Sequence, residues 1–162
     1  MVCIKTRSYE ETVEFGKKLG EMLSPNDVVC LTGDLGTGKT ALTHGIAKAL
    51  GINSYITSPT FTIVNEHQGK YPLFHFDVYR IADPDEMFDI GFEEYLSSEG
   101  IAVIEWGELI RDILPHEIIN INVKKALDES LDTRLIEVDF VGDRYSDYPK
   151  RLEEILRNSN KS

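Results

Sequence analysis

The sequence predicts an α/β protein: a three-layer fold on a mixed sheet, with a parallel core and antiparallel hairpin and edge strands. Three observations predict it. Asp27 to Gly51 reads as strand, glycine-rich turn and helix in immediate succession. Ile101-Ala102-Val103-Ile104 is an uninterrupted apolar run, as expected of a parallel strand buried on both faces. Thr62 to His67 and Tyr71 to Asp77 are strand-like runs separated only by Gln68-Gly69-Lys70, which reads as a β-hairpin.

Val2 to Thr6 alternate weakly, as an edge strand does. Ser8-x-x-Glu11 is a capping-box signature. It opens a helix whose Val13, Gly16, Leu19, Gly20 and Leu23 share one face. Ser24-Pro25-Asn26 turns the chain into the strand Val28 to Leu31. Ala41 to Leu50 is helical and stops at Gly51. After the hairpin, Asp83 caps a helix with Pro84 at its first position. Phe92 to Leu96 is a further short helix. The strand Ile101 to Ile104 ends at Glu105-Trp106. Glu108 to Leu114 is helical and is closed by Pro115. Ile118 to Val123 and Leu135 to Val141 alternate as strands around a turn near Asp128. Tyr148 to Leu156 is an amphipathic helix, and 158–162 is expected to fray.

At 162 residues, with 41% hydrophobic and 28% charged residues, the chain is expected to be one domain, 1–162, with a real core. No apolar run approaches the roughly 20 residues of a membrane span. The N-terminus lacks the apolar segment of a secretory signal. A cytoplasmic location is the expectation. Cys3 and Cys30 fall on strands and read as small core residues rather than a disulfide pair. The net charge of −11, from 28 acidic and 17 basic residues, argues against unaided nucleic-acid binding. Any RNA in this protein's pathway would be held by a partner.

Gly33-Asp34-Leu35-Gly36-Thr37-Gly38-Lys39-Thr40 contains the P-loop pattern Gly-x-x-x-x-Gly-Lys-Thr between a strand end and a helix start. The glycines allow a tight turn whose backbone N–H groups face an anion. The start of the helix, just before Ala41, adds unsatisfied donors and its positive dipole end. Lys39 is expected to reach the β- and γ-phosphates, and the Thr40 hydroxyl to coordinate Mg²⁺. The expected fold is therefore P-loop NTPase-like. Hydrolysis also needs an acid at the magnesium, at the carboxyl end of a neighbouring strand. Glu105 and Asp77 both qualify. Thr60 is a further candidate, because a hydroxyl on a loop after the P-loop helix can sense the γ-phosphate. His75 shares a strand face with Asp77 and reads as structural. Trp106 reads as core or interface mass; Arg80 and Arg134 could contact phosphates, with a surface arginine the default reading for each. The Asn-Lys-x-Asp pattern of guanine-specific switches is absent, which favours ATP.

Together, Gly33 to Thr40, Ser58-Pro59-Thr60-Phe61-Thr62, His75-Phe76-Asp77-Val78-Tyr79-Arg80 and Ile104-Glu105-Trp106 resemble the TsaE (YjeE) family, small P-loop ATPases of tRNA threonylcarbamoyladenosine biosynthesis. The resemblance runs from about Ser8 to about Phe140. It implies a slow, partner-activated ATPase using ATP and Mg²⁺. The partners implied are the TsaB–TsaD heterodimer, which modifies adenosine 37, with tRNA reached only through them. It implies that Lys39 and Thr40 hold phosphate and magnesium, and that Glu105 belongs to the magnesium site. Asp77 and Thr60 would lie around the γ-phosphate, Trp106 beside the site and Tyr9 near the adenine. The chain departs from the family where a Gly-Arg pair often stands: it has Leu131-Asp132-Thr133-Arg134, and the resemblance implies Arg134 as the residue for that role. The tail from Asp143 to Ser162 has only a loose counterpart. Two other functions fit a P-loop: a nucleotide-gated binding module, and a small-molecule kinase. Kinases clamp the transferring group with several arginines. Between Ala41 and Ile110 this chain has only Arg80.

Overall fold

Four strands run parallel through the middle of the sheet, and the apolar runs of the sequence supply them. The structure, a computed structural model, describes residues 1–162 apart from Leu35, Ser54, Tyr55, 57–62 and 160–162. Thr60 and Leu35 lie outside the described residues. In chain order the elements are β1 (Val2–Thr6), α1 (Tyr9–Met22), β2 (Val28–Thr32), α2 (Lys39–Ala49), β3 (Val64–His67), β4 (Leu73–Asp77), α3 (Glu86–Asp89), α4 (Phe92–Ser97), β5 (Ile101–Glu105), β6 (Ile118–Lys125), β7 (Arg134–Val141) and α5 (Tyr148–Ser159). Among the described residues the sheet has seven strands, in the order β1-β7-β6-β2-β5-β4-β3. β6, β2, β5 and β4 are mutually parallel. β3 is antiparallel to β4, and β7 to both β6 and β1. The predicted mixed α/β sheet, with a parallel core and antiparallel margins, is therefore the observed one.

Alternation along the central strands divides two cores. Val29 and Leu31 of β2, with Ile119, Ile121 and Val103, pack beneath α1, α2 and α5. Val28 and Cys30, with Phe74, Phe76 and Ile104, pack beneath α3, α4 and the 3₁₀ segment Gly107–Ile113. Residues one apart on a strand face opposite sides, so a strand covered on both faces must be apolar throughout.

Several local expectations are corrected. α2 begins at Lys39, two residues before Ala41. At its end Gly51 adopts φ 74°, and its N–H donates to Lys48 while that of Ile52 donates to Ala47. This is a Schellman closure, and it explains why the helix stops there. Ser8 caps α1 by accepting from Glu11 N–H at 3.1 Å, but Glu11 reaches back to Arg7 N–H rather than to that of Ser8. α3 begins at Glu86 rather than Pro84. Asp83 still accepts from Asp85 N–H at 3.0 Å, and Glu86 from Ala82 N–H at 2.8 Å, so the cap closes a tight turn ahead of the helix. Residues 107–113 are 3₁₀, broken at Ile110, rather than an α-helix. α5 continues to Ser159, past the expected fraying point. Cys3 is exposed, because on β1 it points away from the face that buries Val2 and Thr6. Cys30 is buried, and burial pushes its thiol up to about 12.

The tail proves integral. The Asp27 carboxylate is fully buried at the entrance to β2. It accepts from Arg144 Nε at 3.0 Å, Tyr148 Oη at 2.8 Å and Ser24 N–H at 2.9 Å. A buried carboxylate requires this many donors. The latch ties the start of α5 to the strand that feeds the glycine loop.

α1 and α2 approach at backbone contact. A Cβ on Gly45 would lie 2.1 Å from Val13 O and one on Gly16 2.5 Å from Leu42 O. Helix propensity alone favours Gly→Ala by about 1 kcal/mol. Gly45→Ala is nevertheless expected to destabilise the protein by about 1–3 kcal/mol, because the helices must separate. Urea unfolding checks this, and a stabilised variant would refute the close-packing argument.

Candidate functional site

The carboxyl ends of β2, β5, β4 and β6 point to one edge of the sheet, where open parallel sheets bind ligands. β2 leads into Gly33, and α2 starts from Gly38. Gly33, Gly36 and Gly38 have φ of 133°, 75° and 112°, values that L side chains rarely adopt. At Gly33 space is limiting as well, since a Cβ would lie 2.4 Å from Val123 O. At Gly36 and Gly38 the nearest heavy atoms to such a Cβ are 3.6 Å and 3.9 Å away, so there the backbone conformation rather than space calls for glycine. Gly38 gives α2 no side-chain cap, leaving the first-turn donors to a ligand.

Lys39 is the charged centre. It is only 6% exposed. Its Nζ donates to Gly33 O at 2.6 Å and Asp34 O at 3.1 Å, and lies 3.8 Å from the Trp106 ring centroid. Burial lowers its pKa below the ordinary lysine value, against the opposing pull of Glu105, Glu108, Asp77 and Asp34 in that order. Lys39, Glu105 and Asp77 are therefore brought together. Asp77 and Glu105 are register partners at the ends of β4 and β5. Asp77 Oδ1 accepts from Tyr79 N–H at 3.0 Å. Glu105 is 3% exposed, and its Oε2 lies 2.5 Å from His75 Nε2. Thr40 is half-buried in the first turn of α2, next to Lys39.

Arg134 is no free surface arginine. Its Nε donates to Thr37 O at 2.7 Å, gripping the glycine loop from β7, while Nη1 holds Leu131 O and Thr133 O. Thr37 is itself buried, with its hydroxyl on Asp34 O at 2.9 Å. Tyr9 bonds His44 Nδ1 at 3.1 Å, one turn along α2 from Thr40. Arg80 is exposed.

Some site features escaped sequence reasoning. Trp106 takes φ 65°, which turns its ring onto Lys39, and Tyr79 packs against it with centroids 4.8 Å apart. A cleft of about 460 Å³ lies on the other flank of the loop, between Asp34, Thr37 and the Lys124–Leu127 stretch. The spacing of Arg134 from the loop, 97 positions, carried no local signal. Among the described residues no cluster of three or more His, Cys, Asp or Glu could hold a metal by itself. A Thr hydroxyl with acids from two strand ends is instead a donor set that fits Mg²⁺ sharing its oxygens with phosphate.

Fold and site define the class: an α/β protein with a glycine loop and buried lysine at the carboxyl edge of a parallel sheet. The family model of Threonylcarbamoyl adenosine biosynthesis protein TsaE matches residues 6–135. A Bacillus subtilis tRNA threonylcarbamoyladenosine biosynthesis protein TsaE is 42% identical over 157 residues, covering 96% of this chain and 94% of that protein. Its namesake from Treponema pallidum is 41% identical over 128 residues, covering 79% and 94%. The crystal structure of Bacillus subtilis YdiB superposes with a TM-score of 0.77 at 38% identity, covering 98% of this chain and 95% of that one. The chain belongs to the TsaE family.

Two outcomes follow from this geometry. Trp106 emission should change in a single step at a pH below the ordinary lysine value of about 10.4, as the charge over its ring is lost. Lys39→Met should abolish the step, and a step at the ordinary value would refute the desolvated setting. Arg134→Ala should speed amide exchange through Gly36–Lys39 by roughly tenfold or more, from the loss of a charged hydrogen bond. Unchanged protection, read by mass spectrometry, would show that the grip is dispensable.

Proposed function

We propose that this chain is an ATP-binding, magnesium-dependent, slow ATPase acting in tRNA threonylcarbamoyladenosine biosynthesis, with the TsaB–TsaD heterodimer as its partner. The observation that carries the reading is the meeting of Lys39, Glu105 and Asp77 beside the glycine loop. Charges of both signs are gathered where a helix start offers uncapped donors. The names of the relatives supply the pathway.

In this reading the loop N–H groups and Lys39 hold the β- and γ-phosphates. Lys39 leaves its carbonyl partners to do so, and its partly desolvated setting favours a strong anion. Thr40 and Glu105, with Asp77 close by, would hold the magnesium. When bound, that ion neutralises charge developing on the phosphate oxygens as the terminal phosphorus–oxygen bond breaks. Trp106, with Tyr79 packed against it, shields the lysine from water on one side, which strengthens its field. The cleft beside Lys124 and Lys125 has the volume of a small-molecule site and suits the rest of the nucleotide. The charge of −11 agrees with contact to tRNA through partners rather than directly.

The test is phosphate release from Mg-ATP, alone and with TsaB–TsaD. Release stimulated by the partners and abolished by Lys39→Ala is expected. Glu105→Ala should lower turnover more than nucleotide affinity, because the loop and Lys39 contacts persist. Nucleotide binding without release, even with partners, would replace the ATPase with a nucleotide-gated binding module. Equal loss of turnover and affinity in Glu105→Ala would overturn the metal role of Glu105.

A further inference from the structure

His75 is fully buried and stands two residues before Asp77 on β4, on the same face of the sheet. The register partner of Glu105 is Asp77, yet the Glu105 carboxylate contacts His75 instead. It thus reaches diagonally back across the sheet by two positions, a contact open to long side chains. Its Oε1 makes no hydrogen bond among the described residues, while Oε2 lies 2.5 Å from the imidazole.

The tautomer follows from the other ring nitrogen. His75 Nδ1 is buried and has no hydrogen-bond partner among the described residues. A buried N–H without an acceptor is rarer and costlier than an unused lone pair. The proton therefore sits on Nε2, where the Glu105 Oε2 accepts it. A purely space-filling role would call for an apolar side chain, since Leu73 and Val103 are the buried residues beside His75 on that face. The imidazole is there for its donor.

We propose that His75 is a positioning residue for Glu105: by donating Nε2–H to one carboxylate oxygen it fixes the direction in which the other is presented to the loop. The effect on metal rests on the role proposed for Glu105 above, whereas the pairing itself does not. Orienting partners of this kind typically change metal affinity by roughly 10–100-fold when removed.

Two measurements test it. In ¹⁵N-histidine NMR of the protein without nucleotide, His75 should show a protonated, strongly deshielded Nε2 and a bare Nδ1, and Glu105→Ala should shift the Nε2–H signal. A proton on Nδ1, or a signal indifferent to Glu105→Ala, overturns the pairing whatever nucleotides do. In calorimetry, ADP is titrated in EDTA and then at rising Mg²⁺. His75→Leu should leave ADP affinity in EDTA unchanged and raise the Mg²⁺ needed for tight binding by roughly 10–100-fold. His75→Gln, which keeps an N–H at similar reach, should recover most of that loss, a rescue that packing alone would not produce. If Glu105→Ala disturbs the Mg²⁺ response and a folded His75→Leu does not, the positioning role is wrong and the metal role of Glu105 survives. If Glu105→Ala leaves the response intact, the metal role fails and takes with it the effect of His75 on metal.

Discussion

Lys39 carries a charge into a space where only 6% of it is exposed, and the surrounding structure answers that one demand. A buried ammonium must exchange water for protein groups or lose its proton. Two loop carbonyls, the face of Trp106 and the field of four carboxylates take the place of water. Each comes from a different stretch of chain. The carbonyls depend on the glycine loop, the ring on a left-handed backbone at position 106, and the acids on the ends of two neighbouring strands (Asp77, Glu105), the loop itself (Asp34) and the 3₁₀ segment (Glu108). The site is therefore only as good as the sheet register that aligns those ends.

Two remote features maintain that alignment. Glycines at 16, 20 and 45 let α1 and α2 meet at backbone distance, which sets where α2 begins relative to the sheet. The Asp27 latch binds the last helix to the residue just before the strand feeding the loop. Arg134 then closes on Thr37 O from the antiparallel margin. The margins of the sheet thus support the loop, while its parallel core carries the chemistry.

Much of this was legible in the chain. The glycine loop, the β3–β4 hairpin and the apolar run ending at Glu105 carry strong local signals, because φ preferences and burial on both faces restrict residue choice within a few positions. Element ends were less legible. The 3₁₀ geometry of 107–113 and the late start of α3 depend on hydrogen bonds to neighbouring turns, which residue type constrains weakly. Cys3 reads as core because alternation on an edge strand is too weak to give its phase, and the structure exposes it. By residue type alone Arg134 and His75 read as ordinary for the same reason: what distinguishes each is a partner 97 or 30 positions away.

The order of residues by itself determined the strand–loop–helix unit, the chemical identity of Lys39, Thr40, Asp77 and Glu105, and the alternation that makes a two-sided sheet. These are properties of nearest neighbours and of side-chain chemistry, and they need no knowledge of what lies across the fold. Only the tertiary structure decided that the Glu105 carboxylate turns toward His75, that Trp106 covers Lys39, and that the tail is fastened beneath β2. Such contacts join residues far apart in the chain, and which of many possible partners meet is settled by strand order and register once the whole sheet has formed.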